Sequence, residues 1–340
     1  MKAAPQQIVF LTLPENSPSA RFRVFQYLDE MKRLNVSPTV RIIPKRFSDR
    51  VRLIQSLPAY DVVFLQKRLL QWWWIKYIRW KARVLVYDFD DAVLYRDSHA
   101  AHKHSFNRWL RFRNTVKHAD LVIAGNDYLS RLAQPYASRI SVIPTGVDMR
   151  RYVPKPTGGD VLTIGWIGSS PNLMYLEKLV APINRLYAQS PCFQLKIVCN
   201  AFIDGFSCPV VKKVWREEDE VEDIQSFDIG LLPMVDDHWT RGKCALKLLQ
   251  YMACGLPSVS SDTEFVRGII EDGRNGYLSD STEDWFEKLR MLIEDKALRK
   301  DLGAAAKRSI EGRFDVPVVA ATYVHAIKEA AKEENALPSR

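Results

Sequence analysis

The chain has 340 residues and a formal net charge of +9, with hydrophobic residues at 47% and charged residues at 26%. Such a length suits about two domains with cores of their own, and the composition excludes a disordered or low-complexity chain. No apolar run reaches the roughly 18–20 residues of a membrane-spanning helix. The charge is unevenly spread: residues 1–155 hold 27 Lys/Arg against 12 Asp/Glu, a net of +15, while residues 156–340 hold 22 against 28, a net of −6. A basic half calls for an anionic partner or surface. The cysteines (Cys192, Cys199, Cys208, Cys244, Cys254) are odd in number and form no C-x-x-C pair, which fits a reduced, cytoplasmic protein without structural zinc.

Met1–Phe10 carries too short an apolar run for a signal peptide and reads as the start of a first strand. Short apolar runs then alternate with helical stretches. Strands are expected at Ile8–Leu13, Thr39–Ile43, Asp61–Leu65, Arg83–Tyr87, Asp120–Ala124 and Ile140–Ile143. Helices are expected near Ala20–Leu34, Asp49–Leu57, Arg68–Lys81, His102–Lys117 and Asp127–Ala133. Repeated βαβ units of this kind give a parallel sheet covered on both faces. Pro154, Pro156, Gly158 and Gly159 form a linker.

A second alternation places strands at Val161–Ile167, Gln194–Val198, Val210–Val214, Asp228–Leu232 and Pro257–Ser260. Its helices fall near Leu173–Tyr187, Val221–Ser226, Lys243–Cys254 and Glu283–Glu294. Phe314–Lys332 reads as a last helix. The expected division is 1–155, 156–313 and a C-terminal helix in 314–340 that crosses back to the first domain. Ligands of such sheets bind beyond the strands' carboxyl ends, which two facing domains turn into a cleft.

On a helical wheel over Lys243–Cys254, Lys243, Lys247 and Gln250 share one face, and Leu248, Leu249 and Met252 the other. Two lysines one turn apart near a helix start suit an anionic group; the plainer reading is a solvated lysine face. Ile164–Asn172 runs a strand into Gly168, Ser169 and Ser170, with Pro171 placed for a helix start. Backbone N–H groups at such a turn can cradle phosphate.

These segments resemble GT-B glycosyltransferases, close to family 4, the retaining nucleotide-sugar transferases. Four pieces carry the resemblance: Asn126–Leu129 after a strand, Ser141–Asp148 at the junction, Ile164–Ser169, and Gly242–Val259 with Gly273–Gly276. It implies an α/β fold of two Rossmann-like, doubly wound parallel-sheet domains facing a cleft, the first binding acceptor and the second a nucleotide-diphosphate sugar. The family often carries two glutamates with seven residues between them on this helix, where Gly242 and Gln250 stand here. The implied activity is metal-independent sugar transfer, with retention, to a glycan or lipid-linked acceptor in cell-surface polysaccharide or glycoconjugate assembly. Neither metal nor cofactor is called for beyond the sugar-nucleotide co-substrate. The competing reading is a catalytically weak sugar-nucleotide-binding scaffold subunit; a sugar-nucleotide epimerase is a lesser one.

Within that frame Lys243 and Lys247 stabilise the leaving diphosphate, Gly168 and Ser169 lie near it, and Gln250 contacts ribose or sugar. Ser19 is the expected N-cap of the first helix, and Arg21 or Arg23 is expected to reach a phosphate. Asp88, Asp90 and Asp91 end the fourth strand, with Asp88 or Asp90 near the reacting hydroxyl as hydrogen-bond partner or base. His99, His102, His104 and His118 fit no standard metal spacing and read as surface residues; His238 is better placed but has no assigned role.

Trp72-Trp73-Trp74-Ile75-Lys76-Tyr77-Ile78-Arg79-Trp80 is unusually aromatic. Trp72 and Trp73 with Lys76, Arg79, Arg108 and Arg111 suit an anionic membrane surface on the inner face of a membrane. The alternative places several of these indoles in the core with snorkelling cations. No nucleic-acid motif is present, so nucleic acid is not an expected partner.

Overall fold

The computed structural model describes residues 6–155 and 161–336. Met1–Pro5 and the linker residues Pro156, Gly158 and Gly159 lie outside the described residues. The chain forms two compact units. The first takes the chain up to Gly146, then Asp237–Cys244 and the chain from Val316 on; the second takes Val147–Asp236 and Ala245–Asp315.

The first unit is built on a parallel sheet ordered β2-β1-β3-β4-β5-β6. Its strands are β1 (Gln6–Thr12), β2 (Val36–Ile42), β3 (Val62–Gln66), β4 (Val84–Phe89), β5 (Leu121–Ala124) and β6 (Ile140–Val142). The central strands are unbroken apolar runs because both faces are covered. Alternation sends Val9, Val63, Leu85 and Tyr87 to one face, under helices Phe47–Gln55, Trp72–Lys81, Phe106–His118 and Asp127–Ala133. It sends Ile8, Phe10, Phe64 and Val86 to the other, where helix Val316–Ala336 lays down Val319, Tyr323 and Ile327. The Tyr323 ring lies 5.3 Å from Tyr27 and 6.0 Å from Phe64.

The helix expected over Ala20–Leu34 is broken into Pro18–Arg23, a 3-10 turn at Phe25–Tyr27, and Leu28–Arg33. Val24 leaves helical geometry at φ −130°, ψ −65°. Ser17, not Ser19, precedes the first of these helices, with Pro18 in its first turn.

The second unit's sheet is also parallel, in the order β12-β11-β10-β7-β8-β9. Its strands are β7 (Leu162–Ile167), β8 (Phe193–Val198), β9 (Val210–Lys213), β10 (Ile229–Leu232), β11 (Ser258–Ser261) and β12 (Tyr277–Ser279). Ile164, Leu195, Leu231 and Val259 face helices Val180–Gln189 and Thr282–Glu294; Ile167, Val198 and Leu232 face helix Leu246–Ala253. Among the described residues, no helix is long and apolar enough to cross a membrane.

Candidate active site

In the first unit β4 delivers three carboxylates to its carboxyl end, and each meets a different fate. Asp88 points toward helix Val316–Ala336. It is fully buried, pairs with the equally buried Arg23, and accepts a hydrogen bond from Tyr323 Oη at 3.0 Å. Arg23 Nη1 also donates to the Ile143 carbonyl at 2.8 Å. Burial pushes the Asp88 carboxyl up, against the pull of Arg23. The expected reach of Arg23 to a phosphate, and of Asp88 to a substrate hydroxyl, is therefore corrected. The two neutralise each other inside the fold because neither charge can be left unpaired there. Arg21 is half-buried, its guanidinium 4.4 Å from the Phe22 ring centre.

Asp90 and Asp91 stay at the surface edge, their side chains 15% and 22% exposed. Ser19 Oγ lies 2.8 Å from both Asp90 oxygens and accepts from Gln66 Nε2 at 2.8 Å, so Ser19 serves the carboxylate rather than a helix cap. Lys67, which sequence reasoning passed over, sits between the two acids, 3.2 Å from Asp90 and paired with Asp91. It follows directly on Gln66, which stands opposite Asp88 in the β3–β4 register. That adjacency of neighbouring strand ends was the available signal. Lys67 adopts a left-handed φ of 59°, a strained setting for a non-glycine residue.

Burial raises both carboxyls, but at Asp90 the Lys67 and Arg23 charges outweigh it and hold the group ionised below its usual range. Asp91 is pushed up by burial and by the charge of Asp90, against Lys67. Two carboxyls driven apart in this way can take different proton roles.

The segment Asp237–Cys244 completes this unit. Asp237 accepts from Lys103 Nζ at 2.8 Å and from the Trp239 and Thr240 amides at 2.9 Å. Asn126 Nδ2 donates to the Arg241 and Lys243 carbonyls at 3.1 Å. His238 stacks on Tyr95 at 5.0 Å and bonds Tyr128 Oη at 3.0 Å. The helix expected from Lys243 begins only at Leu246. Lys243 is extended at φ −74°, ψ 147°, and Ala245 turns the chain at φ 44°. Lys243 and Lys247 therefore do not share a helical face. Burial lowers the Lys243 ammonium below the usual lysine range, partly offset by Asp91 and Asp237.

In the second unit, Gly168 follows β7 with its N–H on the Val198 carbonyl at 3.1 Å, and Ser169 is exposed. A Cβ on Gly168 would stand 2.5 Å from the Trp166 ring. Lys247 is half-buried on helix Leu246–Ala253. Gln250 is not open to a ligand: it is fully buried and donates to Tyr152 Oη at 2.7 Å and Glu220 Oε1 at 2.9 Å. Glu220 is itself fully buried, accepting also from Tyr152 Oη at 2.5 Å and Trp215 Nε1 at 3.1 Å. The buried carboxylate of this region thus comes from position 220 rather than 250, a long-range contact that no local pattern reveals.

Beyond the carboxyl ends of β10, β11 and β12 lies a cavity of about 400 Å³, lined by Tyr175, Met234, Asp236, Asp262, Ser281 and Trp285 among others. Its size and its place at strand ends are those of a ligand site in an open α/β sheet.

On the first unit's helical layer, Trp72, Trp73, Trp80 and Phe106 are 51%, 45%, 73% and 71% exposed. Lys76 covers the Trp72 ring at 5.1 Å and Lys81 the Trp80 ring at 3.8 Å. Arg108 and Arg111 are exposed. Arg79 turns inward instead, pairing with Asp120 at 3.0 Å; this corrects its expected place on the aromatic surface. Trp74 is buried against Ile75 and Ile78.

Residues 214–309 match the family described as glycosyl transferases group 1. A D-inositol 3-phosphate glycosyltransferase of Arthrobacter sp. strain FB24 is 32% identical over 90 residues, covering 26% of this chain and 20% of that protein. Its counterpart from Rhodococcus opacus strain B4 is 22% identical over 232 residues, covering 58% of this chain and 51% of that one. The chain thus spans at most about half of these relatives. The crystal structure of Anabaena Alr3699/HepE in complex with UDP and glucose superposes with a TM-score of 0.71 at 16% identity, covering 95% of this chain and 100% of that one. The resemblance drawn from the sequence is upheld, and the fold is that of the GT-B glycosyltransferases.

Proposed function

From a chain that carries a group 1 glycosyltransferase segment on a GT-B fold, we propose a sugar transferase that uses a nucleotide-diphosphate donor and acts with retention on a glycan or lipid-linked acceptor. The observation that carries this reading is the cavity at the ends of β10, β11 and β12, lined largely by residues of the family-matched segment 214–309. It takes the nucleotide, as the Anabaena structure holds UDP. The bond between the anomeric carbon and the phosphate oxygen breaks, and the acceptor oxygen takes its place. Lys247 offsets the charge that develops on the departing diphosphate, so no resident metal is assigned to the step. Gly168 and Ser169 present backbone to the phosphates.

The first unit presents the acceptor. Asp90, kept ionised by Lys67, receives the hydroxyl proton, because Asp88 is committed to Arg23. The exposed indoles with Lys76, Lys81 and Arg111 hold the protein peripherally on the cytoplasmic face of an anionic membrane. The pathway assigned is assembly of cell-surface polysaccharide or glycoconjugate.

One feature favours a second reading as a binding scaffold: neither Gly242 nor Gln250 supplies the family's carboxylate, and Gln250 is buried. Both readings predict donor binding, which thermal shift detects because a native-state ligand raises stability by mass action; turnover separates them. Nucleoside diphosphates should raise the Tm, and Lys247→Ala should weaken that binding about tenfold, the worth of one charge-assisted contact. No shift with any nucleoside diphosphate would end the donor reading; binding with no turnover in the presence of acceptor extracts would favour the scaffold.

A further inference from the structure

The first unit contains a second cavity, of about 460 Å³, that none of the roles above uses. Its lining mixes apolar side chains, Leu13, Leu70 and Val93, with donors from Arg68, Arg108 and Trp239. Lys67 also lines it, and its ammonium is already engaged by Asp90 and Asp91. The Arg68 guanidinium and the Trp239 indole N–H have no hydrogen-bond or ion-pair partner among the described residues. Arg108 spends one Nη1 bond on the Tyr95 carbonyl at 2.6 Å, leaving further N–H groups of its planar fork for another acceptor. No carboxylate lines the cavity.

Two arginines and an indole N–H in one cavity with leucine and valine side chains match a phosphate joined directly to hydrocarbon. A sugar phosphate or nucleotide would set hydroxyls against the apolar part of the lining, and a bare anion would leave that part without a partner. The position agrees with this. Leu70 stands two residues before the exposed Trp72, and Arg108 two residues after the exposed Phe106. The cavity mouth therefore adjoins the aromatic, cationic face on which a lipid chain would lie.

We propose that this cavity binds the phosphate and adjoining hydrocarbon of a lipid-phosphate acceptor, with Arg68 and Arg108 donating to the phosphate. The proposal rests on the first unit being the acceptor unit, and it names the acceptor's class. It also places the acceptor's head next to Lys67, the residue that keeps Asp90 ionised.

The test uses the full chain and monomeric octyl phosphate, with octanol and inorganic phosphate as separate arms, read by calorimetry. Octyl phosphate should bind at least tenfold more tightly than either alone. Arg68→Ala, which removes a side chain without internal partners, should weaken octyl phosphate about tenfold, as one charge-assisted contact does. Lys300→Ala, exposed in the second unit and outside the cavity, should leave it unchanged. Equal binding to wild type and Arg68→Ala would overturn the proposal. So would inorganic phosphate binding as tightly as octyl phosphate, which marks a free-anion site, or octanol doing so, which marks a merely greasy one. UDP titrated in parallel should bind the Arg68→Ala protein as it binds wild type. If UDP binds neither while the octyl phosphate results hold, the donor reading fails and the lipid-phosphate site stands.

Discussion

Gly242 lies so close to Ala92 that a Cβ at position 242 would stand 2.5 Å from the Ala92 backbone nitrogen and 2.7 Å from its Cβ. Contacts that short do not persist, so the absence of a side chain here lets the Asp237–Cys244 segment settle beside the end of β4. The first of the family's two glutamates has no room in this chain. Gly242→Ala is expected to lose about 1–3 kcal/mol, the usual cost of overpacking, and Gly242→Glu at least as much without any gain in turnover. Urea denaturation and a transfer assay check this together. A Gly242→Glu protein of wild-type stability and higher activity would contradict the packing.

Arg23 and Asp88 offer a test of whether a charged pair at a strand end is structural or catalytic. Both side chains are fully buried, and removing one partner of such a pair typically costs 3–5 kcal/mol because the other charge stays behind. Arg23→Met alone is expected to destabilise by about that amount. Arg23→Met with Asp88→Leu should recover part of it, although Tyr323 then loses its acceptor. If Arg23 instead met a donor phosphate, Arg23→Met would leave the urea midpoint alone and raise the donor KM.

The contrast among these residues shows where sequence reasoning reaches and where it stops. Strand cores such as Val62–Gln66 and Val84–Phe89 declare themselves through unbroken apolar runs, and Asp127–Ala133 through its Asn126 cap, whose side chain accepts from the Leu129 amide. The parallel sheets follow from the alternation of such runs with helices. The start of helix Leu246–Ala253 does not follow, because Lys243 and Cys244 are held by the first unit, Cys244 buried with its Sγ 3.4 Å from the Asp90 carbonyl. That tertiary anchoring overrides the helical period. Likewise the partners of Gln250 lie 30 and 98 residues away, and no periodicity encodes them. Strand Tyr277–Ser279 and helix Lys296–Ile310 also escaped, the first because three residues are too few to show alternation.

Gln250 and Glu220 make the chemistry of the second glutamate position testable. Their side chains are 2.9 Å apart and fully buried, so a carboxylate at 250 would face one at 220. Gln250→Glu is expected to destabilise by about 3 kcal/mol, as an uncompensated buried charge does. The exchange Glu220→Gln with Gln250→Glu keeps one acid and one amide and should restore most of the loss. The coupling energy from a double-mutant cycle reads this directly. A neutral Gln250→Glu would mean that the network accommodates the family's usual residue.

Asp237 gives a dependence on pH whose sign can be worked out. Burial works to raise its carboxyl, but the Lys103 ammonium, the Thr240 amide and Ser98 more than reverse this and hold it well below the usual carboxylate range. A depressed folded-state pKa adds stability that is fully present above the unfolded value of about 4 and fades as pH falls below it. Docking of the Asp237–Cys244 segment should therefore be strongest near neutrality and weaken in acid. The measurement is the urea midpoint of wild type and Asp237→Ala between pH 7 and pH 3. Wild type should be the more stable at pH 7, and the gap should narrow as pH falls from 4 to 3. Lys103→Ala should make the gap at pH 7 smaller and close it at a higher pH, because the folded carboxyl is then less depressed. A gap that keeps its size down to pH 3 would show that the Asp237 charge does not hold the segment.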